Sequence, residues 1–402
     1  MASQSNSIHS LTEKLEAFLK SPHSYFDSSD DAARHRLSEV ARKVSFITEA
    51  RGDTVHRVAH SSLQLPLARI GIETGVFELL SENDGSTATN AELAGKTKVD
   101  PVLMKRLLRY YQSMGMISQL ADDEYGPNNV TTALASVGGK SGVSYYFEMV
   151  NQTFIALPQF LRQTDYVNPT DPSNCPWQLG HHTKQSPFAW LQSHPEMMEF
   201  FLPWMANQRD GLPTVFDIVD FQQELGQKTN DSTILFVDVG GAMGHQCVAL
   251  KQKCPKLAGR VILQEQAPAI EQVKANPLPG FEGIEAQVHD FFTPQPVKGA
   301  RAYYLRNILH DFPNQKCIEI LQNLRAGMTE ESVVLIDEMV LPECGAPWRA
   351  TQLDMSMITC LAATERSEVE WRALIDEAGF KIVKIWTYTQ QLRDSVIVTI
   401  PK

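Results

Sequence analysis

The run Asp238-Val-Gly-Gly-Ala-Met-Gly244 sets an acid and three glycines where an apolar stretch gives way to a helical one. Gly240, Gly241 and Gly244 let a backbone turn sharply and approach a ligand closely. The helix that follows offers free N–H groups at its start. A second apolar stretch ends in Glu265, an acid able to bind both hydroxyls of a ribose. Together these features predict a nucleoside-bearing ligand. The spacing is Gly-Gly-x-x-Gly, not the Gly-x-Gly-x-x-Gly of a dinucleotide loop, and Asp238 directly precedes it. A carboxylate there repels a diphosphate and suits a cation such as the ammonium or sulfonium of S-adenosylmethionine. Asp290 and Phe291 close a third stretch, where an acid can accept from an adenine amine and a ring can stack on it.

His310 follows a fourth stretch, with Asp311 beside it and Glu338 and Glu365 downstream. A neutral imidazole, pKa about 6.5, can take the proton of a phenol, pKa about 10, as the oxygen attacks. A carboxylate on the far ring nitrogen would fix the tautomer and stabilise the imidazolium.

The elements that must position these groups are legible in the pattern. From residue 232, strand-like runs (TILFVDVG, RVILQEQ, ARAYYLRNIL, SVVLIDEMVL) alternate with helical ones, which predicts a parallel sheet with helices on both faces. Ser367 and Glu370 form a capping box, with Gly379 past the end of that helix. FKIVKIW and DSVIVTI close the chain as a strand pair, an unusual ending for a dinucleotide-binding dehydrogenase.

Residues 1–45 read as polar helices around a loop at Pro22–Asp31, and 55–82 carry apolar residues at helical spacing. Asp100 then caps a helix with Pro101 at its first position, and a strand near Met116–Leu120, an Asp122-Asp123 turn and Tyr125 follow. This is a winged-helix pattern. A DNA-binding reading rests on Lys105, Arg106 and Arg109. Against it, the same helix carries Leu103, Leu107, Leu108 and Tyr111, the residues of a packing or dimerisation module. Residues 141–222 are rich in aromatics and Met, broken by a polar loop at 167–181 in which His181 and His182 read as solvent-exposed. Such residues line small-molecule pockets. Phe147, Met149, Trp190 and Met205, with Met355 farther on and Asp311 beside the histidine, are the substrate-binding candidates.

The 402 residues are enough for more than one domain. With 36 Lys plus Arg against 47 Asp plus Glu, the net charge of −11 argues against nucleic acid as a partner. No membrane span or signal peptide is legible. Six cysteines without a C-x-x-C pair indicate free thiols in a reducing compartment, read as cytoplasmic, and no metal site.

The runs FVDVGGAMGH, VHDFFTPQPVKGARAYYLRNILHDF, LIDEMVLP and ERSEVEWRALIDEAGF resemble the small-molecule S-adenosylmethionine-dependent O-methyltransferases of plant and fungal secondary metabolism, the fungal branch above all. The resemblance spans roughly residues 60–400. It implies an α/β fold: a Rossmann-like class I methyltransferase domain, its seven-stranded sheet ending in a β-hairpin, behind an N-terminal all-helical and winged-helix dimerisation domain. The division expected is 1–140 for the dimerisation domain, 141–225 for a helical substrate-covering region and 226–402 for the S-adenosylmethionine-binding domain. The implied partners are a small hydroxylated aromatic or polyketide-like acceptor and a second copy of the chain, with S-adenosylhomocysteine as the product cofactor. By the same resemblance, Gly240, Gly241 and Gly244 border the cofactor's methionine half with Asp238 near it. Glu265 binds the ribose, Asp290 and Phe291 flank the adenine, and Arg306 lies near the methionine portion. His310 is the base, with Glu338 and Glu365 holding its ring. Ala242 stands where many relatives have a third glycine, which is tolerable only if that residue avoids positive φ. Some relatives have become pericyclases that keep the cofactor without spending it, typically after losing the histidine that this chain retains.

Overall fold

The structure is a computed structural model and describes all residues except 1–7, 22–24, 26–30 and 84–85. Most of the loop expected at Pro22–Asp31 lies outside the described residues. The chain divides into two compact units, Met1–Leu67 and Ala68–Lys402.

The first unit holds the helices Ile8–Lys20, Asp31–Thr48 and Arg51–Ala59. The helix Ile8–Lys20 buries no residue and leaves Ile8, Leu11, Leu15 and Leu19 exposed. The helical pattern read over 55–82 is broken in the structure. A short turn at Ser61–Leu63 interrupts it, and Gly75 at φ 75° separates Gln64–Glu73 from Val76–Ser81.

In the second unit, helices Asn90–Thr97 and Pro101–Ser113 precede a hairpin, β1 (Ser118–Ala121) and β2 (Glu124–Gly126). Asp100 caps the second helix as expected, accepting from the N–H groups of Val102 and Leu103 at 2.9 and 3.0 Å. The middle region is helical, and its expected polar loop ends early because Pro176 starts the helix Pro176–Gly180. That helix seats the His181 ring on Trp177, 3.9 Å between centroids, with Nε2 2.8 Å from the Met149 carbonyl. The reading of His181 as solvent-exposed is therefore wrong, while His182 is exposed.

The main sheet comprises β3 (Ile234–Val239), β4 (Arg260–Glu265), β5 (Ile284–Val288), β6 (Ala302–Arg306), β7 (Val333–Leu341), β8 (Arg366–Ser367), β9 (Phe380–Thr387) and β10 (Asp394–Pro401). The order is β5-β4-β3-β6-β7-β10-β9. The five strands from β5 to β7 run parallel, and β10 is antiparallel to both its neighbours. This is the expected seven-stranded path with its terminal hairpin, plus the two-residue β8 on the edge of β7. Alternate residues serve the two faces: Tyr303 and Leu305 of β6 join one core cluster, Ala302 and Tyr304 the other. Chain order reverses between β3 and β6, which opens a crevice at their carboxyl ends, where ligands bind in such sheets.

Candidate active site

Each group of interest leaves the carboxyl end of a strand or the connection beyond it. β3 ends in Asp238 and Val239, and Gly240 turns at φ 75°. The Gly240 N–H donates to the Gln264 carbonyl of β4 at 2.8 Å, fastening the loop to the neighbouring strand. Gly241 is required for another reason: a Cβ there would meet the Asp238 carboxylate at 2.4 Å. Ala242 has φ 49°, so the positive φ that glycine would tolerate is imposed on an alanine. Gly244, at φ 85°, begins the helix His245–Lys253 without a side-chain cap.

Asp238 is buried. Its Oδ2 accepts from Cys247 Sγ at 3.5 Å, while Oδ1 has no hydrogen-bond partner. Burial pushes its pKa up to about 7. Glu265 ends β4, half-buried, and one carboxylate oxygen takes the Gln266 N–H. Phe291 borders the loop, 3.5 Å from where a Gly240 Cβ would stand, and packs beside Phe292 and Phe312. Asp290 is exposed, with Oδ1 accepting the Phe292 N–H at 3.0 Å. Arg306, at the end of β6, faces buried Asp337 at 3.6 Å, and its Nη1 lacks a hydrogen bond. The Asp337 carboxylate also accepts from the hydroxyls of Tyr304 and Tyr388.

His310 sits in a tight helical turn, Leu309–Asp311, beyond β6. Glu365 Oε1 lies 2.7 Å from His310 Nδ1. Glu338 faces the ring at ion-pair distance and also holds the backbone of the turn. Its Oε1 accepts the N–H groups of Ile308 and Leu309, both at 2.8 Å, and its Oε2 stands 3.8 Å from Nδ1. β7 runs on to Leu341, but its parallel pairing with β6 stops at Asp337, so Glu338 is the first residue free to reach the turn. Asp311 lies 3.4 Å from His310 Nε2.

Two residues that the sequence reading missed, buried Arg366 and half-buried Asp354, complete the arrangement. Arg366 donates to the carbonyls of Leu309 and Phe312, both at 3.0 Å, gripping the far end of the turn. Asp354 accepts the Glu365 N–H at 2.9 Å. Arg366 adjoins Glu365 in the run ERSEVEW, so its place was visible but its function was not. Asp354 has no sequence signal of its own.

Burial alone would lower the imidazole's pKa, but the carboxylates of Glu365, Glu338 and Asp311 outweigh it and hold it up at about 10. Burial in turn raises Glu338 to about 7 and Asp311 to about 6. The cluster is a coupled set that stores positive charge on the ring. One donor atom from each of His310, Glu338 and Glu365 falls within 4.8 Å of the others, a spacing open to an ion as well as to the hydrogen bond.

The substrate-binding candidates scatter. A cavity of about 700 Å³ is lined by Tyr146, Phe154, Trp204, Arg349 and Met355 among others. Of the candidates, Met355 alone lines it. Met149 is buried in a cluster with Trp177 and Leu191, which Trp190 joins, and Met205 is exposed. The chain turns through a π-helical segment at Tyr146–Val150. That segment puts Tyr146, not Phe147, at the cavity, a shift invisible to a periodicity argument.

A family model for an O-methyltransferase domain matches residues 214–381. The O-methyltransferase ucdC of Aspergillus ustus is 37% identical over 355 residues, covering 88% of this chain and 91% of that protein. The chain belongs to the O-methyltransferase family. A solved structure of LepI in complex with S-adenosylmethionine is 34% identical, with a TM-score of 0.90 over 97% of this chain and 100% of that one. Another, described as a pericyclic reaction enzyme, is 34% identical with a TM-score of 0.89 over the same shares. The α/β class I methyltransferase architecture expected of the sequence is thus present. No described helix is long and apolar enough to cross a membrane.

Proposed function

We propose that this enzyme moves the methyl group of S-adenosylmethionine to a hydroxyl of a small aromatic or polyketide-like acceptor, with His310 as general base. The observation that carries this reading is the 2.7 Å contact between His310 Nδ1 and buried Glu365. It leaves Nε2 as the ring atom for an acceptor proton.

The crevice fits the cofactor's chemistry. Asp238 offers a buried, unpartnered oxygen, the loop brings backbone close at Gly240, and Glu265 stands at the next strand end. Acids so placed suit an ammonium, a sulfonium and a ribose, and oppose a diphosphate. Asp238, Gly240, Gly241, Gly244 and Arg306 would hold the methionine half, Glu265 the ribose, and Phe291 with Asp290 the adenine side. When bound, S-adenosylmethionine supplies an electrophilic methyl group on a cationic sulfur.

His310 takes the hydroxyl proton at Nε2, and Glu365 stabilises the resulting imidazolium at Nδ1. An imidazole held up at about 10 matches a phenol's pKa of about 10, so the transfer is close to balanced. Glu338 fixes the turn's N–H groups, and Asp311 adds negative charge beside Nε2.

The enzyme acts as a homodimer in this reading, supported by the apolar stripe of the helix Ile8–Lys20, which has no buried residue. Light scattering tests that. The division at 140 and 225 into dimerisation, substrate-covering and cofactor domains belongs to the same proposal, as does a cytoplasmic setting. A second reading, a non-methylating enzyme that retains the cofactor, is favoured by the likeness to a pericyclic reaction enzyme. Following turnover of an acceptor decides between them. Stoichiometric S-adenosylhomocysteine supports methyl transfer, and product formed without it overturns it.

A further inference from the structure

The cavity beside the helix Trp348–Leu361 is walled mainly by apolar side chains, among them Tyr146, Phe154, Leu157, Trp204 and Met355. Gln208, Thr351, Gln352 and Ser356 add neutral polar groups to the lining. Arg349 is the one cation in its lining, and no acid lines it. Arg349 is half-buried, and no hydrogen bond or ion pair engages its side chain among the described residues. Burial disfavours its charge, nearby Arg209 repels it, and Asp394 compensates only in part, so its pKa is lowered. Asp394 is already committed, 3.2 Å from Arg209 and 2.9 Å from the Thr389 hydroxyl. A guanidinium keeps its charge in proteins and presents a planar fork matched to two oxygens. An apolar cavity with one uncommitted guanidinium lacks an anion.

We infer that the cavity takes a flat, largely apolar acceptor bearing a carboxylate-like oxyanion, and that Arg349 pairs with that group. The word acceptor rests on the methyltransferase reading; the pairing does not. The same helix links the cavity to the base. Met355 faces the cavity, while neighbouring Asp354 holds the Glu365 backbone, and Glu365 holds His310. An anion docked on Arg349 therefore orients the molecule against an element that also sets the catalytic ring.

Calorimetric titration of the full chain with 3-hydroxy-2-naphthoate and with 2-naphthol tests the inference. The naphthoate should bind about 10- to 100-fold tighter, the range of a charge-assisted contact. Added salt should erode that preference in the unaltered protein. Arg349→Met should abolish it, and Arg349→Lys should keep part of it. Equal affinities, a preference that survives Arg349→Met, or failure of both probes to bind would overturn the inference. Release of S-adenosylhomocysteine with each probe is scored separately. Release without an anion preference removes the role of Arg349 alone, and an anion preference without release counts against methyl transfer alone.

Discussion

The turn that carries His310 and the loop that follows β3 lie beyond neighbouring strands, yet they are held in opposite ways. The turn is gripped by buried side chains of opposite charge, Glu338 on its N–H groups and Arg366 on its carbonyls. The β3 loop is held by backbone bonds to Gln264 and by positive φ at Gly240, Ala242 and Gly244, and Asp238 beneath it leaves one oxygen unpaired. In the proposed function the base is thus set before any ligand arrives, whereas the loop would be completed by one. Preorganisation of the reacting group and adaptability of the binding loop are separate tasks, and this chain assigns them to separate kinds of bond.

The comparison can be broken first at His310. His310→Ala should lower methyl transfer by about two to four orders of magnitude with cofactor affinity nearly unchanged. Single-turnover rates beside a cofactor titration check both halves, and a parallel loss of cofactor binding would show that the two regions are not independent. Arg366→Met removes the turn's grip and takes the charged donor from the Leu309 and Phe312 carbonyls. It should cost about 3–5 kcal/mol in urea unfolding, two charge-assisted hydrogen bonds at about 1.5–3 kcal/mol each.

Glu365→Gln sharpens the electrostatic side. In the proposed mechanism the base acts when neutral, so its raised pKa of about 10 makes the rate climb as pH rises through neutrality. A neutral amide no longer favours the imidazolium, so the acid limb of kcat/KM should move to lower pH while the plateau falls. A limb that stays in place would take Glu365 out of the pairing. Glu265→Ala should weaken cofactor binding by about 10- to 100-fold, with kcat at saturation largely kept. Smallest of all, Ala242→Gly relieves the positive φ and should stabilise the protein by about 0.5–1 kcal/mol, read as a rise in Tm.

Where the candidate residues stand in the fold was largely legible. Asp238, Glu265, Arg306 and His310 follow apolar runs that are strands in the structure, because buried parallel strands write themselves as continuous hydrophobic stretches ending where the ligand side begins. The cavity proposed for the acceptor was not legible in the same way. Its walls come from helices distant in sequence, and a π-helical segment exchanges Phe147 for Tyr146. Trp190 is apolar and helical, as a lining residue is, yet it stacks on His194 at 3.9 Å within a packed cluster. Composition reports that an apolar surface is needed; it does not report which side of a helix meets a void.

By itself the sequence determined the α/β alternation, the terminal strand pair, the acid-and-glycine loop and the His310-Asp311 pair after a strand, because each depends on residues close in the chain and on a local period. Only the tertiary structure decided which carboxylate does what. Glu338 and Glu365 lie 28 and 55 residues from His310, and nothing local distinguishes them. Register places Glu338 one residue beyond the parallel pairing of β6 and β7, where it meets backbone N–H groups, and Asp354 sets the backbone of Glu365 beside the ring. It likewise decided that Ala242 carries a positive φ and that Arg349 faces an apolar cavity without a partner, since a residue's conformation and its lack of a counterion are properties of what surrounds it.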